Sequence, residues 1–172
     1  AGEAENPVLD NFNADPNTGQ AMIRTAENVA QRAGIGRREQ DEVTLLRYEQ
    51  YREALADDRA FQRRYMQPVE LLRKKKVVGT VDADEGIFPT TADGLASLEP
   101  VVPGGTVTFG TQTHPADGNA GMVVCNRELA QQLSRDASVT VRLRSFGQAR
   151  AEKGFMPMAV VPAARTALAR GA

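Results

Sequence analysis

Cysteine and histidine are nearly absent from the 172-residue chain, which holds one copy of each, Cys125 and His114. A single thiol cannot close a disulfide within the chain, and one histidine eleven positions from one cysteine makes no zinc-ligand cluster. No resident metal is expected, and the lone thiol fits a reducing, cytoplasmic setting. Long apolar runs are missing too. No stretch reaches the roughly 18 residues of a membrane span. Residues 1–10 are acidic and lack the basic-then-apolar pattern of a signal peptide. Charge of one sign is not in excess: the formal net charge is −1. No global field draws the chain to nucleic acid or to an anionic membrane, so neither is expected as a partner.

What is present is ordinary for a globular domain: 41% hydrophobic and 25% charged residues. No internal repeat of solenoid length is visible. Residues 1–17 have loop composition, with Asn6, Pro7, Asn13, Pro16 and Asn17. Thr18 is placed to cap a helix over 20–33, stopped by Gly34, with Met22, Ala26, Val29 and Ala33 on one face. A longer helix over 37–56 carries Val43 and Leu46 on one track and Arg, Glu and Gln elsewhere, so it buries one stripe. A short helix over 57–66 follows. The pattern then changes to two short apolar runs, 69–72 and 77–81, around the basic turn Arg73-Lys74-Lys75-Lys76, which predicts a hairpin. Residues 82–89 form an acidic loop. Thr91 caps a helix through Leu98, ended by Pro100.

The second half begins with the glycine-rich Pro103-Gly104-Gly105. Residues 106–109 are β-prone and 110–121 loop-like. Residues 122–125 read as a buried strand, 127–133 as a helix, 138–146 as a strand alternating Val/Leu with Arg, and 162–169 as a final helix. Strand, helix, strand, helix predicts a partly parallel sheet covered by helices.

Several groups could carry chemistry, and each has a plainer reading. The segment from Gly105 to Gly121 is a strand running into a turn of small and hydroxyl residues; its amides and hydroxyls either meet a polar ligand or merely connect elements. His114 either serves as a base or is structural. Cys125, on an apolar strand, reads as an inert buried thiol. Residues 73–76 either meet phosphates or form a solvated turn. Glu27, Asp82, Asp84 and Glu85 read as caps or surface pairs.

Five blocks in register resemble the thiolase family. Thr25-Ala26-Glu27-Asn28-Val29-Ala30 resembles its Thr-Ala-Glu-Asn-Val motif, with Met22 where the family's loop methionine stands. Ile35-Gly36-Arg37-Arg38-Glu39-Gln40-Asp41 resembles its Ile-Ser-Arg-Glu-Glu-Gln-Asp helix start. Val81-Asp82-Ala83-Asp84-Glu85 with Leu95, Leu98 and Pro100 matches the next block. Gly105-Thr106-Val107-Thr108 with Asp117-Gly118 resembles the family's Gly-Thr-Val-Thr segment. Met158 to Leu168, with Pro162, Ala163 and Leu168, resembles its late Gly-Pro-x-Pro-Ala helix.

The resemblance runs from about residue 13 to 170 and covers the family's middle. It implies an α/β class: a partial thiolase-like fold in which a helical loop domain with a β-hairpin joins part of a mixed sheet flanked by helices. The implied division is an irregular leader over 1–17, a loop domain over 18–104, and the end of the first thiolase half over 105–172. It also implies a fragment or truncated product of an acyl-CoA C-acyltransferase. The family's nucleophilic cysteine and its Asn-Glu-x-Phe, Gly-His-Pro and final Cys-x-Gly motifs do not occur here, so no catalytic residue is assigned and the chain alone is expected to be inactive. Met22, Phe109, Gly110, Thr113 and His114 are implied to line the coenzyme A and acyl site. Coenzyme A or acyl-CoA is expected as substrate, with no permanently bound cofactor, and a homo-oligomer is expected for the full-length protein. The sequence departs from the family at Ala21, Ile23, Phe88, Phe109 and Thr111, which replace histidine, glycine, arginine, alanine and asparagine. Those departures motivate an alternative: a non-catalytic thiolase-like carrier of acyl-CoA or lipid.

Overall fold

The structure, a computed structural model, describes residues 6, 10–113, 118–136 and 138–172. It forms two compact units, Ala1–His114 and Pro115–Ala172.

In the first unit, α1 spans Met22–Ala33. Thr18 does not cap it. The N-cap is Ala21, without a side-chain bond, and the Thr18 hydroxyl accepts from the Gln20 N–H at 3.1 Å inside a preceding tight turn. That turn closes through Asp15, whose N–H donates to the Gln20 carbonyl at 2.9 Å. Gly34 ends α1 in the left-handed region at φ 67°. α2, Arg37–Ala54, starts where the sequence placed it: the Glu39 carboxylate reaches back to accept from the Gly36 N–H at 2.5 Å. α2 buries no residue fully, and Val43 and Leu46 are exposed. The expected buried stripe is therefore only half-covered, by α3, α4 and the turn at 109–111.

α3, Ala56–Arg63, is kinked near its start, where Asp57, Asp58 and Arg59 are all left-handed. The Arg59 guanidinium holds that bend to the start of the acidic loop. It donates to the Asp82 carbonyl at 2.7 Å and lies 3.4 Å from the Asp82 carboxylate. β1, Val69–Arg73, pairs antiparallel with β2, Lys76–Val81, in the register Val69↔Val81 to Arg73↔Lys76. The hairpin is as expected, and Lys74 and Lys75 make its left-handed turn. α4, Ala92–Ala96, is capped by the Thr91 hydroxyl, which accepts from the Gly94 N–H at 3.1 Å. The core of this unit is small: Ala30, Leu95 and Val107, with Thr25, Gln62 and Thr108 buried among them.

In the second unit, α5 spans Arg127–Leu133, the predicted range, with the Asn126 side chain accepting from the Leu129 N–H at 2.9 Å. α6 spans Val160–Gly171 after a 3-10 turn over Met156–Ala159 and so begins two residues earlier than expected. The chain around Ser145 lies along α6: Ser145 Oγ donates to the Ala167 carbonyl at 2.5 Å, and Arg144 to that of Gly171 at 3.1 Å. Arg170 donates to the Phe146 carbonyl at 3.2 Å and sits over its ring, 5.6 Å from the centroid.

The strands expected at 106–109, 122–125 and 138–146 are absent; among the described residues the sheet is the two-stranded hairpin alone. Met122 is 87% exposed, Val141 89% and Leu143 84%. An isolated extended segment leaves its amides unpaired, and β-propensity acts only through neighbours it can pack against. These segments have the composition of strands without a partner. The observed architecture is thus helices with one small antiparallel sheet, and the wider mixed sheet is not formed among the described residues.

Candidate functional site

One network stands out because it joins residues some 80 positions apart. Glu27, on the second turn of α1, turns its carboxylate onto the backbone after Gly105. Its Oε1 accepts from the N–H groups of both Thr106 and Val107 at 2.8 Å. Its Oε2 accepts from the Thr106 hydroxyl at 3.0 Å. That hydroxyl accepts in turn from the Gln40 side-chain amide of α2 at 2.7 Å. Gly105 is needed for this approach: a Cβ there would sit 2.4 Å from Glu27 Oε1 and 2.9 Å from the Val102 carbonyl. Burial pushes the Glu27 carboxyl up, but the Val107 and Thr106 amides, the Thr106 hydroxyl and the charge of Arg24 outweigh it. The group is held below its ordinary value of 4.5.

Downstream of the clamp the chain turns sharply. Val107 is buried, and its carbonyl accepts from the Val101 N–H at 2.9 Å. Thr108 is fully buried and bridges to Pro100. The Thr111 hydroxyl closes a 3-10 turn over Phe109–Thr111, accepting from the Thr108 N–H at 3.0 Å and donating to its carbonyl at 3.2 Å. The Gln112 amide donates to the same carbonyl at 3.1 Å. The turn backs onto α4 at Gly110, where a Cβ would meet Leu95 at 2.5 Å and Leu98 at 2.8 Å. α4 is tied to α2 through Arg37, which donates to the Leu95 carbonyl and pairs with Asp41 at 2.8 Å.

The residues implied as ligand contacts fall as follows. Phe109 projects from the clamped turn, 77% exposed, and Thr113 is exposed just after it. Gly110 lies between them against Leu95 of α4 and Leu98 just beyond it. Met22 is the half-buried first residue of α1, the helix that carries Glu27. His114 lies outside the described residues. Cys125 is a half-buried free thiol beside exposed Met122, Val123 and Val124, not a member of a buried strand.

Sequence reasoning had treated Glu27 as a cap or surface pair and missed the clamp. The only signal was its place in the Thr-Ala-Glu-Asn block. The acidic loop does supply pairs: Asp82 with Arg59, and Asp84 accepting from the buried Gln62 amide at 2.9 Å. Burial, followed by the charge and hydrogen bond of Asp84, raises the Tyr51 phenol, while Gln62 and Arg59 oppose.

A helical unit that holds a hydroxyl-rich turn from two helices at once is a scaffold for presenting a loop, and its sequence identifies which scaffold. The chain belongs to the thiolase family: the thiolase N-terminal domain matches residues 4–128. A peroxisomal 3-ketoacyl-CoA thiolase A of Mus musculus is 37% identical over 118 residues, 65% of this chain and 27% of the relative. A 3-ketoacyl-CoA thiolase of Idiomarina loihiensis is 34% identical over 158 residues, 87% and 38%. An acetyl-CoA acetyltransferase of Chromobacterium violaceum is 35% identical over 148 residues, 85% and 37%. The chain therefore spans well under half the length of these curated relatives.

Proposed function

We propose that this chain supplies a coenzyme-A-facing part of an acyl-CoA C-acyltransferase, and that the turn at 109–113 is the part that meets the thioester carrier. The observation that carries the reading is the clamped turn, which leaves Phe109 and Thr113 outward while its backbone is fixed from behind. Similarity to proteins named as thiolases and an acetyltransferase supports the substrate class. In such a transfer a cysteine takes the acyl group and a second thioester or free coenzyme A then receives it, which divides one hard step into two. The role assigned to these residues is binding and orientation. The Thr113 hydroxyl offers a polar contact to the pantetheine amides and Phe109 an apolar wall to the acyl end. Met22 and His114 complete the proposed contact set. No catalytic residue is assigned. No Gly-His-Pro motif occurs in these 172 residues, the nucleophile is proposed to lie outside them, and the chain by itself is proposed to bind without turning over. The whole protein is proposed to be a cytoplasmic homo-oligomer that holds coenzyme A only as substrate.

Titration calorimetry of the 172-residue chain with coenzyme A tests this. Saturable binding is expected, weakened about five- to tenfold by Thr113→Val, the equivalent of one hydrogen bond. Absence of any binding heat, or binding indifferent to both Thr113→Val and Phe109→Ala, refutes the assignment.

A further inference from the structure

We infer that Glu27 is the positioning residue of the ligand turn, and that it does this work only as the ionised carboxylate. The inference rests on the reading that residues 109–113 face the ligand, and it deepens that reading. Thr106 and Val107 lead through Thr108 into the turn, and both of their N–H groups end on one oxygen of Glu27 at 2.8 Å. An ionised carboxylate is acceptor-only and can take both amides and the Thr106 hydroxyl together; a protonated carboxyl must turn one oxygen into a donor and face other donors with it. The Thr106 hydroxyl already accepts from Gln40 at 2.7 Å, so a proton on Oε2 would compete for its remaining lone pair and displace the bond the hydroxyl now donates to Oε2.

Nor can the backbone simply drift. Gly105 packs against the Glu27 side chain too closely for any Cβ. One residue on, Val107 and Thr108 are buried and bonded to the chain at 100–101. The charge on Glu27 therefore sets where the turn begins, and the turn sets where Phe109 and Thr113 stand. Arg24, on α1 itself, is the charged group that acts on Glu27. The other elements that bond to it contribute neutral groups, the Gln40 amide through Thr106 and the Thr106 and Val107 amides. Protonation of Glu27 in the folded state is thus the event that releases the turn. This makes Glu27 a positioning residue for binding and assigns it no contact with the reacting atoms.

The test combines amide hydrogen exchange, read residue by residue by NMR, with coenzyme A titration. In Glu27→Gln, which keeps the size and loses the charge, exchange at Thr106 and Val107 is expected to quicken by about tenfold or more while amides in α2 stay as slow as before. In Thr106→Val, which keeps both amides and the carboxylate, the Val107 amide is expected to stay protected. After correction for intrinsic exchange chemistry, the wild-type protection at 106 and 107 should fall as the pH drops below the ordinary carboxyl range, and Glu27→Gln should show no such step. Coenzyme A affinity should weaken about tenfold in Glu27→Gln and in parallel with the loss of protection. Unchanged exchange at 106 and 107 in Glu27→Gln, or the same pH step in that variant, overturns the inference. If the wild-type chain binds no coenzyme A, the ligand reading falls, and the exchange data alone then decide whether Glu27 fixes the turn.

Discussion

At the scale of single residues, burial and bonding decide what each polar group contributes. Thr108 is fully buried, and its hydroxyl has no hydrogen-bond partner. A desolvated hydroxyl without a partner opposes folding by about 1–3 kcal/mol. Thr108→Val keeps the shape and removes that group, so urea denaturation should show stability unchanged or raised by about 1 kcal/mol. A loss of that size instead would mean that the hydroxyl is satisfied. Gly110→Ala should do the opposite. Its methyl group would overlap Leu95, which is 3% exposed. Overpacking of this kind costs about 1–3 kcal/mol, seen as a lower denaturation midpoint.

Glu27 gives a third expectation, with its sign fixed by linkage. Its carboxyl is below 4.5 in the folded chain, so the unfolded chain binds the proton more readily. The clamp's stabilisation is complete above the ordinary carboxyl value and is lost as the pH falls through the depressed native one. The stability gap between wild type and Glu27→Gln should therefore be widest near neutral pH and close in acid. A gap that persists at pH 2 would show that shape, not charge, separates the two. None of these three roles was legible in the sequence, since each depends on how distant parts of the chain pack: Glu27 meets Thr106 across 79 positions.

At the scale of elements, what was legible was what is local. Helices starting at Arg37 and Arg127 were placed to the residue, because caps and i,i+4 spacing are written within a few positions. The hairpin was legible for the same reason: its two strands pair across a short turn. The apolar run at 122–125 and the alternating run at 138–146 were misread because both describe a strand that needs a neighbour, and among the described residues none is paired with them. The missed bend at 57–59 has a similar origin, since Asp, Asp and Arg give no glycine signal for a left-handed run. The hairpin turn is the better place to test this cost. Lys74 and Lys75 both hold positive φ, 49° and 66°, a conformation that asparagine and glycine adopt with less strain. Lys74→Asn with Lys75→Gly should raise the stability of the hairpin by about 0.5–1 kcal/mol. The readout is slower amide exchange at Leu72 and Val77, the cross-strand pair beside the turn. Faster exchange there would mean that the four cations, not the turn geometry, hold the tip.

At the scale of the whole molecule, the two units differ in how much apolar surface they leave open. Among the described residues, Pro115–Ala172 contributes none to the buried set, while Met122, Val123, Val124, Val141 and Leu143 are each at least 74% exposed. Two runs of β-prone residues with unpaired backbone are templates for strand addition. The chain spans well under half the length of its curated relatives, and among its described residues neither run is paired with a strand. Offered only copies of itself, the chain should pair them with each other. Light scattering after size exclusion should show an apparent mass that rises with concentration above the 18.6 kDa of one chain. Val141→Lys with Leu143→Lys should suppress that rise, because like charges facing each other across a new strand pair are destabilising. The same changes should leave the exchange protection of Thr106 and Val107 untouched, since the clamp lies in the other unit. A monomer at every concentration, with both valine runs intact, would show that these segments are stable in water as they stand.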